Sequence, residues 1–364
     1  MENKIVLDIK PTAENARNSE GCFFRNYNGD ILYAYSRWSS SKHDDAMCDI
    51  ALIRSNDEGE TWSDYELIAR ARDFDVDNIM DASFVKLKDG RLCVFFLIKE
   101  KDGSSTIGRT VSSDGISFCA ERCICNMPKD YYVIENDRFI RLHDGRIATV
   151  ASQSEFSKRT DKGYVVALVS DDDGAEFHCT ETTLSLPYSN SKNIGLQEPA
   201  IIELSENLIW ILARTAYGFQ YQSFSFDGLR SFTPAEPSVF SSPLSPIAVK
   251  RMSDNSLVAA YNPIPVFDGR DMLLHDMRSP DNLWSGRTPL VLRRSVDNGR
   301  TWGELYPIET AKGADFCYPA LFETRDGGIL CAYWCVEEKN GDSFYCSMRI
   351  TKTDKIIWKE CGIK

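Results

Sequence analysis

Short apolar runs, each preceded by a tight-turn signal, recur along the chain. They read NGDILYAYSRW from Asn28, KDGRLCVFFLI from Lys88 and HDGRIATVASQ from His143. Three more follow: SENLIWILART from Ser205, SDNSLVAAYNP from Ser253 and RDGGILCAYWC from Arg325. Asp-Gly, Asn-Gly or Asn-Ser closes a tight turn, and the β-branched and aromatic residues behind it suit a buried strand. The pattern predicts six hairpins. Apart from one short stretch, no segment shows a 3.6-residue period of helix length, and no linker rich in Pro, Gly or Ser divides the chain.

A second motif follows most of the hairpins. Ser55–Trp62 reads SNDEGETW and Ser295–Trp302 reads SVDNGRTW, both fitting S-x-D-x-G-x-T-W. Weaker copies are SSDGISF from Ser112, SDDDGAEF from Ser170 and SFDGLRSF from Ser225. The Asp carboxylate and the Ser or Thr hydroxyl can bond the amides of the turn, and Gly supplies a positive φ. The terminal Trp or Phe can pack between neighbouring sheets. Such a box is a folding staple rather than a reaction centre. Box starts spaced by roughly 55–70 residues, with a sixth hairpin lacking a box, account for the whole chain. The expectation is an all-β fold: a single six-bladed β-propeller domain over residues 1–364.

The 364 residues are 43% hydrophobic and 26% charged, as in an ordinary soluble domain. A formal net charge of -12 argues against nucleic acid as a partner, yet leaves room for a local arginine cluster. No apolar run has the length of a signal peptide or a membrane span, so a cytoplasmic location and no membrane partner are expected. With no export signal, the 12 cysteines read as free thiols. The close pairs Cys123/Cys125 and Cys331/Cys335 lack the second set a zinc site needs, so no metal is expected.

The Asp boxes, the segment LQEPAIIELSENLIWILART and the segment GADFCYPALFETRDGG together resemble the sialidase (neuraminidase) superfamily. The branch is that of bacterial BNR-repeat proteins opening with NSEG, and the resemblance covers nearly the whole chain. It implies a retaining exo-glycosidase with a Tyr nucleophile paired with Glu, an Asp acid/base, arginines that clamp a substrate carboxylate, and no metal or organic cofactor. The chemistry is coherent. The anomeric carbon of a sialic acid already carries a carboxylate, which would repel an anionic nucleophile, whereas a neutral phenol avoids the repulsion.

Residue by residue, the resemblance nominates Tyr318 as nucleophile, Glu198 as its base and Arg214 and Arg287 as clamp arginines. Arg293 and Arg294, nearer the box, read as exposed strand residues. The acid/base is Asp44, with Asp45 as the adjacent alternative, while Asp49 belongs to the strand. Arg37, Asp81, Asn136 and Asp137 fall at positions that face the substrate. The first clamp arginine is missing. Where the family has it, this chain reads ARNSEGCFF, so Ser19 or Glu20 takes its place, with Arg17 close by and Arg25 a weaker substitute. One lost charge-assisted contact costs about 1.5–3 kcal/mol, and a glutamate there repels a carboxylate. The expected partner is therefore a small glycoside or oligosaccharide bearing a sialic acid, another acidic sugar or a neutral one, and the alternative to an enzyme is a non-catalytic carbohydrate-binding propeller. The oligomeric state is left open.

Overall fold

The computed structural model describes residues 3–154, 163–186, 195–264, 286–311, 313–339, 341–354 and 356. These residues form an all-β propeller-like fold whose one helical turn is a 3-10 segment, Ala71–Phe74. None of their helices is long and apolar enough to cross a membrane.

Among the described residues the strands make five hydrogen-bonded sheets. The largest has eight strands. Its first four are Arg17–Arg25, Ile31–Trp38, Cys48–Ser55 and Glu66–Ala69. Its second four are Asn78–Lys86, Leu92–Lys99, Ser105–Ser112 and Cys119–Arg122. A single residue pair, Cys48 with Asn78, joins the two halves. The next sheet is built on Ile147–Ser154 and Tyr164–Ser170. Two four-stranded sheets follow, beginning at Gln197–Ser205 and Ala248–Arg251. The last comprises Ala314–Glu323, Ile329–Lys339 and Asp342–Thr353, completed by the N-terminal strand Asn3–Ile9, which pairs antiparallel with Asp342–Thr353. This closure joins the two ends of the chain in one sheet and removes what would otherwise be an unpaired edge.

All the hairpins expected from the sequence are present, each turn joining the first two strands of a repeat. First strands also touch one another in sequence, except that in the third repeat the second strand, Ile147–Ser154, makes the contact to Gln197–Ser205, and Ala314–Glu323 returns to Arg17–Arg25. The core lies between successive repeats. Phe95 stacks on Phe139 at 4.6 Å between ring centroids, and Phe177 meets both edge-on at 5.5 Å. Trp302 lies 4.9 Å from Phe240 and 6.3 Å from Trp210. Burying each such aromatic contributes about 1.5–3 kcal/mol.

Phe177 and Trp302 are the terminal aromatics of two boxes, and the boxes are turn staples as their composition requires. In the first, Ser55 Oγ donates to Asp57 at 2.8 Å, the Gly59 amide to Ser55 Oγ at 2.8 Å and the Thr61 amide to Asp57 at 2.9 Å. Ser295, Asp297, Gly299 and Thr301 repeat the pattern at 2.8 Å throughout. Burial alone would raise the Asp57 carboxyl, but bonds from Thr61 and Ser55 outweigh it and hold it at about 2. The carboxylate is thus committed to the turn.

Candidate active site

A strand that alternates in and out cannot aim a side chain along the axis of a ring without a local break in the pattern. The break here is a left-handed residue in the first strand of a repeat. Glu20 (φ 48°), Asp81 (65°), Glu198 (44°) and Tyr318 (54°) have positive φ within such strands, and none is glycine; Asp137 (58°) has it in the turn before Ile140–Arg141. At Glu20, Asp81, Glu198 and Tyr318 the strand register slips, as in a β-bulge. A non-glycine residue in this region costs about 1–3 kcal/mol, and such strain clusters at functional sites. Serines of the preceding repeat hold two of these amides. The Asp81 N–H donates to Ser36 Oγ at 2.9 Å and the Glu198 N–H to Ser152 Oγ at 2.8 Å.

The side chains so aimed form one electrostatic group. Glu198 pairs with Arg214 at 2.5 Å, both buried. Burial raises the Glu198 carboxyl, Arg214 and Arg287 pull it back, and Asp44 adds to the rise. Tyr318 lies beneath Arg287, 5.7 Å from the guanidinium carbon to the ring centre, and keeps part of its surface open. Burial and then Glu198 push its phenol well above the ordinary range, so the group is neutral at rest. Arg287 donates to the Leu244 carbonyl at 2.9 Å, and its backbone amide to Asp315 at 2.9 Å.

Asp44 sits on the loop between Ile31–Trp38 and Cys48–Ser55, its side chain 68% exposed. Its carboxylate takes a 2.5 Å bond from Arg17 Nη1, while Arg17 Nη2 pairs with Glu20. Partial desolvation by the surrounding protein would raise the Asp44 carboxyl, but Arg17 and Lys99 outweigh it and hold it below the usual range. Burial lifts Glu20 to about 7 despite Arg17. The Asp44 backbone is anchored as well, its carbonyl accepting from Asn78 Nδ2 at 2.9 Å and from Lys99 Nζ at 2.8 Å.

Asp81 is 1% exposed, and neither carboxyl oxygen has a hydrogen-bond partner among the described residues. Burial, then Glu135 and Glu20, push it well above the carboxylate range. Such a group holds a proton in the fold that it releases in the unfolded chain, so its contribution to stability falls as pH rises above about 4. Asp81→Asn is accordingly expected to raise Tm by roughly 2–4 °C at pH 8, with the gain shrinking toward pH 5. Thermal melts of both proteins across that range measure it, and a gain independent of pH contradicts the assignment.

The remaining candidates are placed differently. Asn136 donates to the Gly21 carbonyl at 2.6 Å, and Asp137 pairs with Lys250 at 2.7 Å. Arg138 reaches the carbonyls of Pro199 and Ile247 at 3.1 and 2.8 Å. These residues tie distant repeats together beneath the group. Arg37 lies 4.5 Å over the Tyr65 ring, Arg25 pairs with Glu58, and Asp49 accepts the Ala71 amide. Arg293 binds the carbonyls of Trp302 and Gly303, and Arg294 pairs with Asp254. Asp45 meets Lys99 at 3.3 Å.

Sequence reasoning missed Glu135. It is buried, and its carboxyl is raised well above its usual value by burial and by Glu198 and Glu20. Among the described residues no group of three or more His, Cys, Asp or Glu side chains is placed to hold a metal ion, and no disulfide joins the cysteines.

The arrangement offers a neutral phenol beside a carboxyl, two buried guanidinium groups and an acid on an exposed loop. Solved structures of similar fold include sialidases. NanB sialidase from Streptococcus pneumoniae superposes with a TM-score of 0.70 at 12% identity, over 97% of this chain and 70% of that one. A protein of unknown function from Dyadobacter fermentans gives 0.69 at 17% identity, over 96% and 99%. Trypanosoma rangeli sialidase, captured as a covalent intermediate with 2,3-difluorosialic acid, gives 0.69 at 11% identity, over 96% and 59%. No curated protein sequence matches the chain. The model of the BNR repeat-like domain matches residues 29–331, and the chain belongs to that family.

Proposed function

We propose that the protein is a retaining exo-glycoside hydrolase of the sialidase type. The observation that carries this reading is the convergence of Tyr318, Glu198, Arg214 and Arg287 from three separate repeats. The Tyr318 oxygen attacks the anomeric carbon as the glycosidic C–O bond breaks. Glu198 accepts the phenolic proton, and Asp44 gives its proton to the departing oxygen. In the second half Asp44 takes a proton from water, whose oxygen attacks the same carbon, and the phenolate leaves and recovers its proton from Glu198. Burial raises the Glu198 carboxyl against the pull of Arg214 and Arg287, whereas at Asp44 Arg17 and Lys99 outweigh desolvation and lower the carboxyl. The reactive form, with Glu198 ionised and the proton on Asp44, is reached against both shifts.

A second reading concerns the sugar. Arg17 is engaged by Glu20 and Asp44, which leaves Arg214 and Arg287 to meet an anionic group and favours an acidic sugar other than sialic acid, or a neutral one. We also read the eight-stranded sheet as two blades bridged at Cys48–Asn78, which makes the propeller six-bladed. Release of 4-methylumbelliferone from its α-sialoside, beside a panel of other acidic and neutral aryl glycosides, tests the function. Turnover of the α-sialoside supports sialidase activity, and turnover of another glycoside alone supports the second reading. A folded protein inert toward the whole panel contradicts the hydrolase assignment.

A further inference from the structure

Arg17 is 4% exposed, and its guanidinium lies between two indoles, 4.2 Å from the centre of Trp38 and 5.5 Å from that of Trp334. Its Nη1 donates to Asp44 at 2.5 Å and to the Lys42 carbonyl at 3.3 Å, and its Nη2 pairs with Glu20. Both terminal nitrogens are in use, and Nε, which has no partner among the described residues, is buried with the rest of the group. A two-bond grip on an external carboxylate would therefore have to share Nη1 or Nη2 with Asp44 or Glu20. Glu20 cannot turn away, because it sits at the bulge that aims it, at φ 48° and 3% exposure. Asp44 is the exposed end of the chain of contacts, borne on a loop.

We infer that Arg17 is a positioning residue rather than a substrate clamp: held by Glu20 at the bulge, it latches the Asp44 carboxylate and its loop near Glu198 and Tyr318. The catalytic side of this inference rests on the reading of Asp44 as acid/base; the latch itself does not. Latching costs the site one substrate contact, so an acidic group on the sugar meets only Arg214 and Arg287. It also gives Asp44 a fixed direction that an exposed loop alone would not supply. Besides Arg17 and Glu20, the charged or titratable groups acting on this latch include Lys99, Arg214, Asp45, Glu198, Tyr131, Tyr318, Asp81 and Glu135.

The test uses the full-length protein with Arg17→Met and Asp44→Asn, which break the latch from opposite ends. Amide hydrogen exchange is read at Ser39, Ala46 and Met47, whose N–H groups are bonded within the loop. Both variants are expected to speed exchange there by at least about threefold, with the strands unchanged. Asp44→Asn leaves the buried Arg17–Glu20 pair intact, so it reports even if Arg17→Met fails to fold. Unchanged exchange in Asp44→Asn overturns the latch whether or not the protein is a hydrolase.

With the best aryl glycoside, Arg17→Met is expected to lower kcat about tenfold or more with KM within about twofold. Removing the cation also moves the limb of the pH profile that titrates Asp44 to higher pH, which a purely structural arginine would not do. A rise in KM of tenfold with kcat and both limbs unmoved would identify a clamp and overturn the inference.

Discussion

Tyr318→Phe is expected to lower kcat/KM by at least about a thousandfold, while the melting temperature stays within a few degrees of the wild type. The change removes one oxygen from a ring held by its surroundings, 6.0 Å from the Trp334 ring centre and beneath Arg287. Packing is therefore kept and only the nucleophile is lost. The phenol is held neutral by burial and by Glu198, so it needs a base at the moment of attack. A hydroxyl that merely bonded the sugar would give a loss of about tenfold to a hundredfold on removal. Steady-state kinetics on the accepted glycoside separates the two outcomes.

The second large effect comes from the buried pair Arg214–Glu198. Arg214→Met leaves the buried Glu198 carboxylate without its 2.5 Å partner. Breaking such a pair from one side costs about 3–5 kcal/mol, unless the remaining carboxyl keeps a proton. Either way activity falls, since a protonated Glu198 cannot accept the phenolic proton. Glu198→Gln removes the base but leaves an amide beside Arg214, and burial of an ionised carboxylate no longer has to be offset. Arg214→Met is thus expected to lose both stability and turnover, and Glu198→Gln turnover alone. Urea unfolding alongside kinetics reads both. Equal stability of the two variants would show that the pair contributes little to the fold.

The parts of this molecule legible in the sequence are those made by local bonds. The hairpin turns and Asp boxes each close within a few residues, so Ser55–Trp62 and Ser295–Trp302 announce their structure directly. The closing strand Asn3–Ile9 was not legible, because its partner Asp342–Thr353 lies at the other end of the chain and no turn links them. Nor were the bulges. Left-handed geometry is usually signalled by glycine, and here Glu, Asp and Tyr adopt it.

A faint signal does exist in retrospect. Glu198-Pro199-Ala200, Tyr318-Pro319-Ala320, Asp81-Ala82-Ser83 and Glu20-Gly21-Cys22 place a polar or aromatic residue before proline or a small residue in the first strand of a repeat. The same register explains the uneven placing of the third repeat. Alignment by strand start pointed to Asn136 and Asp137, which bind Gly21 and Lys250, while the buried carboxyl coupled to Glu198 is Glu135. Arg37 shows the limit of reading a strand end without its neighbours, because the Tyr65 ring that it covers comes from a different part of the repeat.

The central claim is that Tyr318 forms a bond to the sugar. The direct measurement is mass spectrometry of the protein after incubation with 2,3-difluorosialic acid, or with the fluorinated analogue of whichever sugar is turned over, followed by peptide mapping. One glycosyl adduct on the peptide that contains Tyr318, absent from Tyr318→Phe and unaffected by Asp44→Asn apart from its rate, is the expected result. Turnover of the parent glycoside without any adduct, or an adduct on Glu198 in place of Tyr318, would contradict the account.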